Sequence, residues 1–340
     1  MKILVTGGLG YIGSHTVIEL SKKFEILIVD NLINSELSNL HRIKKLSVNN
    51  IEFENMDLSH KDEVSELFTK YTSIHTIFHF AALKSVSESV EKPKKYHNNN
   101  VHSILNIINE IKKRKLKIDF IFSSSCTVYG LPDKLPIDEN HKLNDAISPY
   151  AKTKQICENM LIEYSSESKD FNTVILRYFN PIGAHPSSEI GELPIGEPQN
   201  LIPFITQTVA GIRDFLTVFG DDYETPDGTC IRDYIYIGDL AKAHICAMNY
   251  LQKNKLINHD IFNLGTGKGF SVFEIIKLFE KTTGEKINYK VGSRRKGDLK
   301  SAYSDNKKAI EVLKWKPEIS IEKALLTAWN WEKKISALKT

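Results

Sequence analysis

The stretch Lys2-Ile3-Leu4-Val5-Thr6-Gly7-Gly8-Leu9-Gly10-Tyr11-Ile12-Gly13-Ser14-His15 decides how the chain is read. Residues 3–6 are a short apolar run, which predicts a strand covered on both faces. The run breaks at Gly7, and from Tyr11 the pattern predicts a helix over 11–21. Gly7, Gly10 and Gly13 fall at G-x-x-G-x-x-G spacing rather than G-x-G-x-x-G, yet the physical need is the same. One glycine allows the tight turn, another lets backbone approach a pyrophosphate, and the third lets the helix pack on the strand. The helix N-terminus then faces the phosphates. A lone glycine pattern is weak; its place between a strand and a helix makes this one strong.

Outward from this turn, a second apolar run at 25–30 ends at Asp30, 17 residues beyond Gly13. A carboxylate there suits the hydroxyls of an adenosine ribose and repels a 2′-phosphate, favouring NAD over NADP. The alternative is that Asp30-Asn31 simply begins a turn. Further apolar runs at 51–54, 76–80, 120–124 and 173–176 alternate with helical segments at 60–70, 96–113 and 149–164. Such alternation implies an α/β fold, a Rossmann-type doubly wound parallel sheet. Asp57 follows the third strand, where it suits either the adenine amino group or the N-cap of the next helix. Phe80-Ala81-Ala82 ends the fourth strand with small residues, which lets a cofactor sit against backbone.

The texture changes after about Asn180. Residues 181–203 are rich in Pro, Gly and acidic side chains, without a period, and read as a loop that closes over a ligand. A strand-like run at 260–264 ends in Gly265-Thr266-Gly267 and has the character of a strand that rejoins the first sheet. The expected division is an NAD-binding Rossmann domain over 1–180 and a smaller α/β substrate domain over 181–340, with the segment near 260–267 returning.

Two groups carry chemistry. Tyr150 and Lys154 stand four apart on the helix that starts after Ser148-Pro149, so they share one face. A neighbouring ammonium, together with a positive nicotinamide, favours the phenolate and makes Tyr150 a usable base. Ser123-Ser124-Ser125 closes the fifth strand at its C-terminal end, where ligands bind in such sheets. A serine there can hydrogen-bond a reacting hydroxyl.

The chain has 340 residues and a formal net charge of +3, too small to argue for nucleic acid. The basic run Lys112-Lys113-Arg114-Lys115 ends a helical stretch and reads as a solvated helix C-terminus. Cys126, Cys157, Cys230 and Cys246 show no C-x-x-C pair and no metal-ligand spacing, so no metal is expected. Free thiols, a first apolar run too short for a signal peptide and the lack of a membrane-length apolar stretch together predict a cytoplasmic, non-membrane protein.

The motifs together resemble the extended short-chain dehydrogenase/reductase family and, within it, the UDP-glucose (UDP-galactose) 4-epimerase family. The resemblance rests on residues 6–13, the serine strand, Tyr150-x-x-x-Lys154, Gly13-Ser14-His15-Thr16, Asp30-Asn31-Leu32 and His79-Phe80-Ala81-Ala82-Leu83-Lys84. It also rests on Arg177-Tyr178-Phe179-Asn180-Pro181, Gly183-Ala184-His185-Pro186, Asp227-Gly228-Thr229, Arg232-Asp233-Tyr234 and Arg294-Arg295-Lys296-Gly297-Asp298, and it spans nearly the whole chain in order.

The resemblance implies NAD⁺ held between turnovers and a UDP-sugar substrate oxidised and re-reduced at C4. Tyr150, aided by Ser125, would take the C4 hydroxyl proton, and Lys154 would also hold the nicotinamide ribose. It further implies cofactor contacts from Tyr11, Ile12, Asn31, Asn34, Ser35, Leu58, Ser123, Lys84 and Asn100, with Phe179 beside the nicotinamide. The UDP end is implied at Asn180, Asn200, Leu201, Thr217, Val218, Phe219, Arg232, Arg295 and Asp298, with arginines clamping the pyrophosphate and Lys84 also near the substrate. The alternatives are an exposed salt bridge for Arg295 and Asp298, and core packing for Phe219. A homodimer through the helices at 96–113 and 149–164 is implied as well.

Departures from the family pattern are Ala82 for glycine, Cys126 for alanine, and Ala302. Ala302 stands four beyond Asp298, where hexose-restricted members often carry tyrosine, so UDP-GalNAc and UDP-GlcNAc are also expected substrates; Tyr303 next door would reverse this if the alignment slipped by one. Competing readings are a nucleotide-sugar 4,6-dehydratase, a UDP-glucuronate 4-epimerase or decarboxylase, and a non-catalytic NAD-sensing scaffold. Cys126-Thr127-Val128 offers no carboxylate after the serine strand, which counts against the dehydratase. The presence of both Tyr150 and Lys154 counts against the scaffold.

Overall fold

A computed structural model describes residues 2–254, 257–295 and 297–337. The first half alternates as β1 (Lys2–Thr6), α1 (Tyr11–Ser21), β2 (Glu25–Val29), α2 (Ser38–Leu46), β3 (Ile51–Glu54), α3 (Lys61–Lys70), β4 (Ile74–His79), α4 (Val86–Glu91), α5 (Pro93–Arg114), β5 (Ile118–Ser123), α6 (Pro149–Glu167) and β6 (Phe171–Tyr178). The second half is mixed: β7 (Asn180–Ile182), α7 (Leu201–Val209), β8 (Leu216–Phe219), β9 (Ile231–Tyr236), α8 (Ile237–Lys253), β10 (His259–Leu264), β11 (Gly269–Ser271), α9 (Val272–Thr283), β12 (Tyr289–Gly292), β13 (Ser301–Ala302), α10 (Lys307–Val312) and α11 (Ile321–Ala337).

Seven parallel strands form the main sheet in the order β10-β6-β5-β4-β1-β2-β3. The strands are mostly apolar on both faces because helices cover both. Ile3, Val5, Ile26, Ile28, Phe78 and Val174 enter the core under α1 and α8. Leu4, Leu27, Ile77, Phe120 and Ile175 enter a second core under α3, α5 and α6. Each such side chain contributes about 1.5–3 kcal/mol on burial. The run at 260–264 lies in this sheet, with β10 pairing β6 over six residues.

Chain order reverses at β1, which lies between β2 and β4. Ligands bind at such a switch point, beyond the carboxyl ends of the strands. Elements run slightly longer than the apolar runs suggest: β6 reaches Tyr178, and α5 begins at Pro93, which sits in its first turn. Much of 181–203 is irregular, though β7 and a bridge between Ala184 and Gly191 pin its start.

A smaller sheet follows β7, β9, β11 and β13. Its centre is Asp233, wholly buried, whose carboxylate accepts from the Thr266, Gly267 and Ser304 amides and from both hydroxyls of Thr266 and Ser304. A Cβ on Gly265 would lie 2.3 Å from that carboxylate, which is why Gly265-Thr266-Gly267 needs its first glycine.

Candidate active site

The glycine turn is a cradle without room for side chains. Gly7 has φ +66, and its amide donates to Val29 O at 2.8 Å. A Cβ there would lie 2.6 Å from Ala81 N, at the end of β4; on Gly13 it would lie 2.3 Å from Gly7 O. Gly10 is the N-cap of α1, with no side-chain cap and no acidic residue in the first turn. The amides at Tyr11, Ile12 and Gly13 thus belong to a first turn that lacks intrahelical acceptors. Close backbone, orphan donors and a positive dipole end fit a dinucleotide pyrophosphate. The Tyr11 phenol itself is spent elsewhere, donating to Gly183 O at 2.6 Å.

Asp30 does both things the sequence allows. Its carboxylate accepts from Leu9 N at 3.0 Å, Leu32 N at 3.0 Å and Ser35 Oγ at 2.8 Å, so it shapes the glycine turn and its own. Burial pushes its carboxyl upward against those three bonds. Asn31 donates to Asp57 at 3.1 Å, joining the two polar residues beyond β2 and β3, while Asn34 is exposed beside them. Asp57 is not the N-cap of α3, because His60 holds that place. It forms a turn with Ser59 instead. Burial raises its carboxyl, but the bonds from Ser59 and Asn31 prevail and hold it below the usual range. The Leu58 side chain is core, and its carbonyl accepts from Asn106.

At β4, Phe80 N and Ala81 N donate to Thr6, while Ala82 stays half-buried. Asn100 is buried and engaged within the fold: its amide brackets Leu83 through both backbone groups and donates to Thr153 Oγ1. It braces the loop to Lys84, which a cofactor-contact role did not foresee. Lys84 lies 3.4 Å from Glu192, whose Oε1 also accepts from Asn200 at 2.8 Å. That carboxylate couples the β4 loop to the start of α7 at Asn200-Leu201; sequence reasoning missed it.

The catalytic candidates converge beyond β5 and β6. Tyr150 is buried, packed with Leu83 and Tyr96, and near enough to Ser125 for that hydroxyl to lower its phenol. Lys154 is buried and donates to Ser123 O at 2.7 Å. Ser123 Oγ donates to Tyr178 Oη at 3.1 Å. One expectation is corrected here. Burial, with Tyr178 nearby, raises the Tyr150 phenol, and Ser125 opposes this. Burial also lowers Lys154 to about 8. Within the chain alone, burial thus favours the protonated phenol of Tyr150, and added positive charge would act against it. Phe179 is buried with Val128, Tyr129 and Ile137, and Cys126 packs against the same cluster. Burial pushes the Cys126 thiol up to about 12, which disfavours the reactive thiolate.

The residues expected at the UDP end lie on and beside the smaller sheets. Asp298 accepts from Arg232 at 3.4 Å and from Arg295 at 2.8 and 3.1 Å, so the salt bridge anticipated as an alternative exists and orients two guanidinium groups. Lys296 lies outside the described residues. Phe219 is not core: its ring is 42% exposed, with Arg295 5.8 Å above it. Val218 is core, and Thr217 is half-buried beside it. Asn180 opens β7, opposite Tyr234 of β9. Ala302 pairs with Arg232 in register, so both side chains lie on one face of the strand pair. Tyr303 points the other way, 3.3 Å from the place a Gly269 Cβ would take. Of the two neighbours, Ala302 is thus the one that shares a face with Arg232.

A family model described as GDP-mannose 4,6 dehydratase matches residues 4–327. UDP-glucose 4-epimerase uge1 of Schizosaccharomyces pombe is 44% identical over 337 residues, covering 98% of this chain and 94% of that protein. The chain belongs to the UDP-glucose 4-epimerase family. The human UDP-glucose 4-epimerase is 42% identical over 98% of this chain and 96% of its own. Among solved structures, the Stenotrophomonas maltophila epimerase with bound NAD and formylated UDP-arabinopyranose superposes with a TM-score of 0.94, at 38% identity over 99% of both chains. The Bifidobacterium longum epimerase in complex with NAD⁺ and UDP gives 0.92, at 39% identity over 98% of both. This epimerase-family chain has no helix, among the described residues, long and apolar enough to cross a membrane.

Proposed function

We propose that the chain interconverts UDP-galactose and UDP-glucose by oxidation and re-reduction at sugar C4, with NAD as resident cofactor. The observation that carries the reading is the convergence of Ser125, Tyr150 and Lys154 beyond the strand ends, next to a glycine cradle that side chains would fill. NAD⁺ supplies a hydride acceptor that later returns the hydride, and a positive charge that favours the Tyr150 phenolate. Residues 7–13, Asp30 and Lys154 hold it. Tyr150 takes the C4 hydroxyl proton and gives it back, while Ser125 fixes the oxygen. Arg232 and Arg295, steadied by Asp298, take the pyrophosphate, and Phe219 offers its exposed ring to the uracil. The sugar is left loosely held, as a 4-keto intermediate that must turn over requires.

The proposed division follows the sheets: 1–180 with the returning 260–267 for NAD, and the remainder of 181–340 for the UDP-sugar. Ala302 supports use of UDP-GalNAc and UDP-GlcNAc as well. Exposed Val86 and Val90 on α4 and Leu105 on α5 support a homodimer, and four free thiols support the cytoplasm. The family model's dehydratase description is not followed, since Cys126 and Thr127 stand where that chemistry needs a carboxylate. The test is incubation with UDP-galactose and, separately, UDP-GalNAc, without added oxidant or reductant. Conversion of both to their 4-epimers supports the full reading. UDP-galactose alone removes the N-acetyl claim. Neither, in protein carrying NAD, overturns the epimerase.

A further inference from the structure

Tyr150, Lys154 and Glu158 fall at i, i+4 and i+8 on α6, so one helix face carries all three. Glu158 is wholly buried. Its Oε1 accepts from Ser124 Oγ at 2.5 Å and from Arg177 Nε at 3.0 Å, and its Oε2 from Arg177 Nη2 at 2.6 Å. Arg177, on β6, stacks its guanidinium 4.8 Å from the Tyr129 ring. Tyr129 donates to Asn263 of β10 at 2.7 Å, and Asn263 donates to Ile137 O at 2.9 Å. One carboxylate thus ties α6 to β5 and β6, and through Arg177 to the turn after β5 and to β10.

A buried ion pair of this kind is weak as a source of stability, because apolar residues of similar volume often serve as well. Its value lies in placement. Ser124 stands between Ser123, whose carbonyl receives Lys154, and Ser125, which meets Tyr150. Fixing Ser124 to the helix that bears Tyr150 and Lys154 fixes all three reacting groups relative to one another.

We infer that Glu158, held by Arg177, is a positioning residue that sets the register of the Tyr150–Lys154 helix against the serine strand; this rests on the epimerase reading above. Glu158 also stands one turn from Lys154, and its charge favours the ammonium. The other groups facing Lys154 are Cys157 on the same helix, His79 on β4, the Phe122 ring at 4.7 Å and the Ser123 carbonyl. Two separable effects follow: one geometric, through Ser124, and one electrostatic, on Lys154.

The experiment compares wild type, Ser124→Ala, Glu158→Gln and the double variant Glu158→Gln with Arg177→Met, which leaves no unpaired buried charge. Turnover of UDP-galactose is measured from pH 6 to 10, with melting temperature alongside. Ser124→Ala keeps the ion pair; it should lower kcat about tenfold with KM little changed, since small misplacements of reacting groups are costly, and should leave the alkaline limb of kcat in place. Both Glu158 variants should lower kcat and move the alkaline limb to lower pH. Folded variants with wild-type kcat and an unmoved limb overturn the inference alone. A wild type that converts no UDP-sugar overturns the inference together with the reading beneath it.

Discussion

The Lys154 ammonium donates to the Ser123 carbonyl at 2.7 Å, in a place almost closed to water. The bond seats a buried cation directly under the residue that leads to Ser125. It also sets an energetic signature. A lysine lowered from 10.5 to about 8 binds fewer protons folded than unfolded between those values, so its contribution to stability rises with pH across that window. Below pH 8 the cost of the buried charge is fully present, up to about 3 kcal/mol.

Lys154→Met should therefore abolish turnover without unfolding the protein. Loss of the bond to Ser123 offsets about 1 kcal/mol of the gain. At pH 7 the melting temperature should equal or exceed wild type, and the difference should close as pH approaches 10. Thermal melts at pH 7 and 9.5 check the sign; a variant several degrees less stable at pH 7 contradicts it.

The glycines predict a graded response. A Cβ on Gly13 meets the Gly7 carbonyl at 2.3 Å, backbone against backbone, whereas on Gly10 the nearest atom is the same oxygen at 3.3 Å. Gly13→Ala must push α1 off the turn and should cost about 2 kcal/mol or more, within the range for overpacking, and lose bound NAD. Gly10→Ala should keep the fold and most of the cofactor. Absorbance of released NAD after denaturation, with melts, distinguishes them; equal behaviour of the two variants defeats the cradle argument.

What was legible in the sequence followed from periodicity and from fixed short-range geometry. The apolar runs located all seven strands of the main sheet, 260–264 included, because a strand buried on both faces is mostly apolar, and Tyr150 with Lys154 was legible because i,i+4 is a property of one helix. Glu192, Glu158 and Asp233 were not read as organisers, since each gathers partners far apart in sequence: Lys84 and Asn200, Ser124 and Arg177, Thr266 and Ser304. A sign was present for Arg177 and Glu158, a charge in an apolar strand run and another one turn beyond Lys154. The upward shift of Tyr150 was illegible because it depends on burial by Leu83 and Tyr96. Phe219 was undecided from sequence, as an aromatic at a strand end suits core or ligand equally.

Phe219 yields the next prediction. Its ring is exposed and lies below Arg295, so removing it takes little from the core. Phe219→Ala should change stability by no more than about 0.5 kcal/mol, as surface changes do. Stacking of a base on an aromatic ring is worth about 1–3 kcal/mol, so KM for UDP-galactose should rise at least several-fold while kcat holds. Steady-state kinetics and a melt decide it; a destabilised variant with unchanged KM would return Phe219 to the core.

The proposed use of N-acetylated sugars turns on Ala302. Its methyl shares a strand face with Arg232, whose guanidinium meets Asp298 in the proposed pyrophosphate clamp, while Tyr303 is turned toward Gly269. Ala302 is itself buried, so a tyrosine there cannot stay within the space of a methyl, and on the proposed reading its ring takes the room of a 2-acetamido group. Ala302→Tyr should leave UDP-galactose turnover within a few-fold and reduce UDP-GalNAc turnover by 10-fold or more, about 1.4 kcal/mol or more in the transition state. Because steric exclusion is specific to the 2-acetamido group, the readout is the ratio of kcat/KM for the two sugars rather than either alone. A ratio that stays constant, in folded variant protein, would show that the position does not face the sugar. Tyr303→Ala is the control, and its ratio should not move, because that ring stands on the far face.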